Sequence, residues 1–343
     1  MSSRSTKTLL IVASGGGHTG YANALAERLF ELTKEYRDLL KIVFILPKRD
    51  RWSFMKLSLL KTLYHREVFF DELTKPREPY ESFIKLIARF PKSLYEAVKI
   101  IGKYEPDIVV STGSNHSLVV ALASLLKKTR VVNIEAIDRI ATTSKTSKIL
   151  HDIGVETILH WSEQKRNLPR GIVVGPIFER PRYRPRDEGY ILVTTGTMGH
   201  KVLFNLLKKT RLNNIVLQTG IIPPDEYRVR DWIVFDFDPD IDKWIAGARL
   251  VITHQGLTAV NAALAYKKPV IIAYNPLLKK TSTLEDTKIL ANKINALFID
   301  PRRITPYELE EIVFKAMEQK PPSYTDGGNI LAHRILRYLD MTT

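Results

Sequence analysis

Lys7-Thr8-Leu9-Leu10-Ile11-Val12-Ala13, followed by Ser14-Gly15-Gly16-Gly17-His18-Thr19, decides the fold of this chain. From Leu9 on, the run is apolar on both faces, as a strand buried within a parallel sheet is. The glycines permit a tight turn and bring backbone N–H groups close to a ligand. Tyr21–Glu35 then reads as a helix, whose N-terminus favours negative charge. The loop is neither G-x-G-x-x-G nor a P-loop, since no Gly-Lys-Ser/Thr follows.

The same grammar repeats along the chain. Further strands are expected at Lys41–Leu46, Asp107–Ser111, Val131–Ile134 and Val155–Leu159 in the first half. In the second half they are expected at Tyr190–Thr194, Asn214–Gln218, Trp232–Phe235, Leu250–Thr253, Pro269–Ala273 and Ala296–Ile299. Helical stretches intervene, among them Tyr80–Tyr104 and Leu257–Tyr266. Strand–helix alternation argues for doubly wound parallel sheets. The apolar-poor segment 179–188, with Pro181 and Pro185, reads as a linker. The expected architecture is α/β: two Rossmann-like domains, 1–178 and 189–325, facing across a cleft. A C-terminal helix in 326–343 would be free to pack back on the first domain.

Of 343 residues, 44% are hydrophobic and 26% charged, the make-up of a globular protein. That excludes a disordered chain, a collagen-like repeat and a polytopic membrane protein. The absence of cysteine excludes a disulfide scaffold, an iron–sulfur protein and a cysteine nucleophile. The apolar run Leu9–Ala13 is too short for a secretory signal, and no window of about 18 apolar residues offers a membrane span. Against 37 acidic side chains stand 52 basic ones, a net charge of +15 with a pI near 9.7. Such a balance calls for a polyanionic partner: nucleic acid, an anionic membrane or phosphorylated substrates.

Four stretches can carry chemistry. In the first loop, His18 stands at a helix N-terminus, which disfavours its charged form and leaves a neutral imidazole able to act as a general base. Thr194-Thr195-Gly196-Thr197-Met198-Gly199-His200 occupies the matching position in the second half, offering hydroxyls and glycine amides to a phosphate. Thr253-His254-Gln255-Gly256-Leu257-Thr258-Ala259-Val260-Asn261 runs from a strand end into a helix whose first amides would meet a diphosphate. Beyond it, Glu285 and Asp286 in Thr281–Thr287 either accept sugar hydroxyls or cap a helix. Asn133-Ile134-Glu135-Ala136-Ile137-Asp138-Arg139 ends a strand with Glu135, either a site carboxylate or an ion-pair partner for Arg139.

On these residues a resemblance rests. The first half resembles the membrane-side subunit of the eukaryotic two-subunit transferase that adds the second GlcNAc to dolichol-diphosphate-GlcNAc. Its matching stretches are Gly15-Gly16-Gly17-His18-Thr19, Glu105-Pro106-Asp107 with Thr112-Gly113, Ile134-Glu135 with Arg139, Ser147-Lys148-Ile149-Leu150, His160-Trp161 and Gly175-Pro176. The second half resembles the catalytic partner subunit through Val193–Thr197, Ile252–Gly256 and Lys268–Ile271. Both are similar, more distantly, to the bacterial lipid II-forming transferase MurG. The resemblance implies an archaeal-type fused enzyme of GT-B fold, with no cofactor and no metal. It implies an acceptor side at Gly15, Gly16, Gly17, Thr19, Gly113 and Arg139, with His18 or Glu135 as base. It implies a donor side at Thr195, Gly196, Thr197, Gly199, His254, Gln255, Gly256, Thr258, Asn261, Glu285 and Asp286. Two positions depart from it. Ala262 stands where relatives carry an acidic residue for the ribose, and Glu285-Asp286-Thr287 replaces their glutamine pair or asparagine-histidine-glutamine.

A lipid-linked acceptor requires a membrane contact, and residues 48–66 supply a candidate. Trp52, Met55, Leu59 and Leu63 recur at helical spacing among Lys48, Arg49, Arg51, Lys56, Lys61 and Arg66. Phe83, Ile87, Phe90 and Leu94, with Lys85, Arg89 and Lys92, would extend it. No aromatic–basic sheet motif points to nucleic acid. The expected activity is inverting transfer of GlcNAc from UDP-GlcNAc to a lipid-diphosphate-linked GlcNAc of dolichol type, peripheral on the cytoplasmic face of a membrane. The alternatives are a related transferase with another donor or a glycolipid acceptor lacking diphosphate, and a non-catalytic nucleotide-sugar-binding protein.

Overall fold

The computed structural model describes residues 6–78, 81–229 and 231–341; Tyr80, the expected start of one helix, and Thr342 and Thr343 lie outside them. The chain forms two compact units. Unit 1 runs to Ala136 and adds Thr143–Ile177 and the chain from Thr325; unit 2 is Ile137–Thr142 with Phe178–Tyr324.

Unit 1 alternates β1 (Lys7–Val12), α1 (Gly17–Leu32), β2 (Leu40–Pro47), α2 (Arg51–Tyr64), β3 (Val68–Leu73), α3 (Phe83–Tyr104), β4 (Ile108–Ser111), α4 (Asn115–Leu126), β5 (Arg130–Ile134), α5 (Lys145–Asp152), β6 (Glu156–Leu159) and β7 (Ile172–Val173). Its strands pair parallel in the order β3-β2-β1-β4-β5-β6-β7. Unit 2 follows with β8 (Ile191–Thr194), α6 (Lys201–Leu207), β9 (Ile215–Gln218), β10 (Ile233–Phe235), α7 (Ile241–Gly247), β11 (Leu250–Thr253), α8 (Leu257–Val260), β12 (Val270–Ala273), α9 (Leu284–Lys293), β13 (Leu297–Ile299) and α10 (Pro306–Met317). Its sheet, also parallel, has the order β10-β9-β8-β11-β12-β13. The strand order reverses between β1 and β4 in one sheet and between β8 and β11 in the other. Ligands of such sheets bind beyond the carboxyl ends at these switch points, where the loops after β1 and β8 lie.

The central strands are buried end to end, from Leu9 to Ala13 and from Ile42 to Leu46, because helices cover both faces. The expected strands all form, within a residue or two at each end. Two more are present. β3 is an edge strand whose Phe69 is exposed and which carries Asp71 and Glu72, so it lacks the apolar run that marks a buried strand. β7 has only two residues. The expected helix Leu257–Tyr266 is α8 followed by a π-helical turn over Asn261–Ala265.

The segment 179–188 is bound to unit 2 rather than free. The Arg186 and Glu188 amides donate to the carbonyls of Ala246 and Gly247, each at 2.8 Å. The Arg182 guanidinium pairs with Asp242. Proline and charge mark the absence of regular structure there, not the absence of contacts.

The last helix, α11 (Gly327–Tyr338), belongs to unit 1. Its N-cap Asp326 meets Arg28 of α1 at 3.0 Å, and Arg28, 1% exposed, also pairs with Glu27 at 2.9 Å. Arg334 pairs with Glu156 at 2.7 Å. The Gly327 amide donates to the Pro176 carbonyl at 3.0 Å.

Candidate active site

In unit 1 the site is assembled where β1 and β4 end. Gly16 adopts φ +54, and a Cβ built there would meet nothing within 4 Å, so the loop faces open space at the α1 N-terminus. The amides of His18 and Thr19 donate to the Gly15 and Gly16 carbonyls, at 3.2 and 3.1 Å, and close the loop. His18 donates from Nδ1 to the Thr112 carbonyl, which fixes the tautomer and leaves the Nε2 lone pair as the basic atom. Burial foremost, then the nearby Lys75 charge, lowers its pKa to about 4 against the Thr112 carbonyl, so the ring is neutral at pH 7. Desolvation is therefore the main reason for the neutral ring, rather than the helix terminus alone.

Several expected acceptor residues serve the loop itself. The hydroxyl of Thr19, 2% exposed, accepts from the Gly15 amide at 3.1 Å and meets the Ser53 hydroxyl at 2.7 Å. Ser53 donates in turn to Asp50, so the N-terminus of α2 is tied to the glycine loop. A Cβ on Gly15 would lie 3.2 Å from Asp50 Oδ2. Gly113 is a packing requirement, since a Cβ there would sit 2.8 Å from the Ile134 carbonyl oxygen.

Glu135 is fully enclosed. One oxygen accepts from the Ala136 amide at 2.8 Å, the other from the Ser144 amide at 3.0 Å and the Thr143 hydroxyl. Burial pushes its pKa up against these bonds. Both oxygens are engaged with the two ends of the excursion 137–142, an arrangement that holds the loop and disfavours Glu135 as the base. Arg139, expected on the acceptor side, falls in that excursion and so in unit 2, where it donates to the Thr142 hydroxyl at 3.0 Å.

In unit 2 the ends of β8 and β11 lie side by side, Thr194 opposite Thr253. Three buried polar atoms there have no partner: Thr195 Oγ1, Thr253 Oγ1 and His254 Nδ1. Burial lowers the His254 pKa to about 4, with His200 contributing, so its ring is neutral as well. A Cβ on Gly196 would lie 3.3 Å from the His254 ring, whereas one on Gly256, at φ +138, would meet nothing within 4 Å. Thr197 is exposed and Thr258 half-buried. Gly199 is packed, its Cβ position 2.4 Å from the Thr219 carbonyl.

Three expected donor ligands are committed elsewhere. Gln255 makes two bonds to the Asn275 backbone, at 3.0 and 3.1 Å. Asn261 accepts from the Glu179 amide at 3.1 Å and donates to its carboxylate at 3.2 Å. Asp286 closes a capping box with Thr283 on α9 and also accepts the amides of Ile140, Ala141 and Thr142 at 2.8–3.0 Å. Glu285 alone of that pair is exposed. Residue type foretold hydrogen bonding at these positions but not the partner.

Lys75, on the loop after β3, was missed. It acts electrostatically on both His18 and His116 and pairs with Glu78 at 3.0 Å. Recognising β3 as a strand would have placed its following loop at the same sheet edge.

The model of the Alg14-like oligosaccharide biosynthesis proteins matches residues 9–177, and that of the glycosyltransferase family 28 C-terminal domain matches residues 190–333. The chain is a fused Alg14-like and family 28 glycosyltransferase. The transferase is 24% identical over 188 residues to a UDP-N-acetylglucosamine transferase subunit ALG14 of Rattus norvegicus, covering 51% of this chain and 84% of that one. It is 24% identical over 349 residues to the UDP-N-acetylglucosamine–N-acetylmuramyl-(pentapeptide) pyrophosphoryl-undecaprenol N-acetylglucosamine transferase of Prochlorococcus marinus, covering 94% and 91%. Among solved structures, MurG of Acinetobacter baumannii superposes with a TM-score of 0.62 at 15% identity, over 98% of this chain and 100% of that one. The transferase thus has the GT-B fold.

Proposed function

We propose that the transferase moves GlcNAc from UDP-GlcNAc to a lipid-diphosphate-linked GlcNAc, with inversion at the anomeric carbon. The observation that carries this reading is His18: a neutral ring with one nitrogen tied to Thr112, at the mouth of a glycine loop. Its Nε2 takes the proton of the acceptor hydroxyl as that oxygen bonds to the anomeric carbon. The bond from that carbon to the diphosphate breaks on the opposite face, and UDP leaves. The open side of the loop at Gly16 and the positive end of the α1 dipole would receive the acceptor's diphosphate. Thr195, Thr253, His254 and the backbone at Gly256 would hold that of the donor, their unpartnered polar atoms acting where charge develops. Glu135 is a positioning residue in this scheme. The relatives' printed activities, GlcNAc transfer in both cases, support the choice of sugar.

We read these groups as substitutes for a metal ion on the diphosphate. Calorimetry should therefore detect UDP binding in EDTA, with an affinity unchanged by added magnesium. Binding only in the presence of magnesium would overturn that part of the scheme.

The second element is α2, proposed as the membrane contact of a peripheral enzyme on the cytoplasmic side. Among the described residues no helix is long and apolar enough to cross a membrane. The core-facing side of α2 is Ser53, Leu57 and Leu60, all buried, while Trp52, Met55, Leu59 and Leu63 are 37–51% exposed. A row of large apolar side chains left outward on a helix fits an interfacial role. On α3, Ile84 and Ile87 are exposed too, but Phe90 and Leu94 pack on the core and do not extend the face as expected. The side chain of Phe83 lies outside what is described. The basic complement is smaller than its count, since Lys48 pairs with Glu96, Lys61 with Glu67, and Arg66 is buried. Changing Trp52 and Leu59 to Ser should weaken liposome binding at low and high salt alike. Reversing Arg51 and Lys56 to Glu should weaken it at low salt only. Unchanged binding by both variants would exclude α2 as the contact. The bonds from Ser53 to Thr19 and Asp50 mean that a docked α2 carries the glycine loop with it.

A further inference from the structure

The edge of the unit 1 sheet opposite the glycine loop carries a cavity. It lies where β2 and β3 begin and has a volume of about 350 Å³. Arg37, Lys41, Arg66 and Phe69 line it, with Asp38 and Glu67. None of this surface takes part in the chemistry above.

Its charge is unbalanced. Arg66 is 6% exposed, and its guanidinium donates to neutral oxygens: the Thr33 hydroxyl at 3.1 Å and the carbonyls of Arg37 at 2.8 Å and Leu40 at 3.2 Å. Lys41 lies over the rings of Phe69 and Tyr104, at 4.7 and 5.4 Å. Arg37 donates to the Lys34 carbonyl at 3.1 Å. Among the described residues, Arg37, Lys41 and Arg66 form no ion pair. Of the two acids, Glu67 is paired with Lys61 at 3.0 Å, which leaves Asp38 against three cations. A buried guanidinium bonded to neutral oxygens holds a charge that Asp38 offsets only in part, and an incoming anion would offset the rest. Burial foremost, then the Arg37 charge, lowers the Arg66 pKa against the opposing charge of Asp38.

The surroundings indicate where the anion comes from. α2 ends at this cavity: Leu63, in its last turn, is 51% exposed, and Phe69 on the rim is 39% exposed. The outward apolar row of α2 therefore runs down to a cationic pocket with an apolar lip. A helix lying in the headgroup layer would bring that pocket to the level of lipid phosphates. We propose that the cavity of Arg37, Lys41 and Arg66 binds the phosphate headgroup of an anionic membrane lipid, an inference that rests on the docking of α2.

Vesicles of phosphatidylcholine, with and without phosphatidic acid, provide the test on the full chain, at a salt concentration high enough to screen Arg51 and Lys56. The unaltered protein should bind the phosphatidic acid vesicles at least about tenfold more tightly. Arg37→Glu with Lys41→Glu should abolish that preference while leaving binding to neutral vesicles and turnover of a water-soluble acceptor unchanged. Reversing Lys127 and Lys128, remote in sequence from the cavity, should leave the preference intact. A preference that survives Arg37→Glu with Lys41→Glu overturns the proposal, as does equal binding of both vesicles by the unaltered protein. Loss of all vesicle binding on changing Trp52 and Leu59 to Ser, with the cavity variant still selective, retains α2 docking and rejects the cavity. A Trp52 and Leu59 variant that binds normally rejects the docking instead. Acylation of Lys41 in the unaltered chain, read by mass spectrometry, requires no variant to fold. Phosphatidic acid vesicles should protect Lys41 and millimolar inorganic phosphate should not; equal protection by phosphate would make the ligand a free anion and overturn the lipid assignment.

Discussion

His18→Ala should lower turnover by about a hundredfold or more, the scale of a lost general base, while leaving the fold intact. The ring contributes one hydrogen bond to the fold, from Nδ1 to the Thr112 carbonyl, and remains partly exposed, so little packing is lost with it. The pH profile separates a base from a mere contact. With a pKa held to about 4 by burial, His18 is unprotonated through the neutral range. The acidic limb of kcat/KM should then fall near pH 4 rather than near the ordinary histidine value of about 6.5. Glu135→Gln is the comparison. Glu135 accepts bonds from two amides and a hydroxyl, and Gln preserves part of that set, so activity should fall less than in His18→Ala while thermal stability falls more. A nearly inactive Glu135→Gln beside a substantially active His18→Ala would reverse the two roles. If both are severe, the double variant should lose less than the product of the two.

Gly327→Ala should have the largest effect on stability. A Cβ at Gly327 would lie 2.2 Å from the Gly175 carbonyl oxygen and 2.9 Å from that of Pro176. Both obstacles are backbone, so α11 must move away. That motion breaks the bond from the Gly327 amide to Pro176 and draws Asp326 from Arg28, weakening the carboxylate pairing of a buried guanidinium. A cost of about 3 kcal/mol or more is expected, equivalent to a melting temperature lower by roughly 6–12 °C for a domain of this size. Gly102→Ala is the control. Gly102 lies inside α3 with nothing within 4 Å of its Cβ position, so the change should stabilise by up to about 1 kcal/mol. Equal melting temperatures for the Gly327 variant and the unaltered chain would show that α11 is not held at this contact.

The parallel sheets were legible because a strand covered on both faces must be apolar on both, as Leu9–Ala13 and Ile42–Leu46 are. β3 was not, since an exposed edge tolerates Asp71 and Glu72; with it went Lys75 and the cavity where β2 and β3 begin. Both glycine loops were legible, because Gly16 and Gly256 take conformations that side chains rarely adopt and face open space. The partners of the polar residues were not. Asp286 binds amides 144–146 residues away, and Asn261 binds Glu179 across 82. No local pattern separates such a structural anchor from a ligand. The excursion of Ile137–Thr142 into unit 2 was hidden for the same reason, because it depends on that distant carboxylate.

The most direct test is turnover itself. The purified chain should be incubated with UDP-GlcNAc and a short-chain lipid-diphosphate-GlcNAc acceptor in EDTA, beside a panel of other nucleotide sugars. A β-linked GlcNAc–GlcNAc lipid should form from UDP-GlcNAc at a rate unaffected by EDTA, and the other donors should give little product. Preference for another nucleotide sugar, or transfer only to an acceptor lacking the diphosphate, would contradict the proposed reaction.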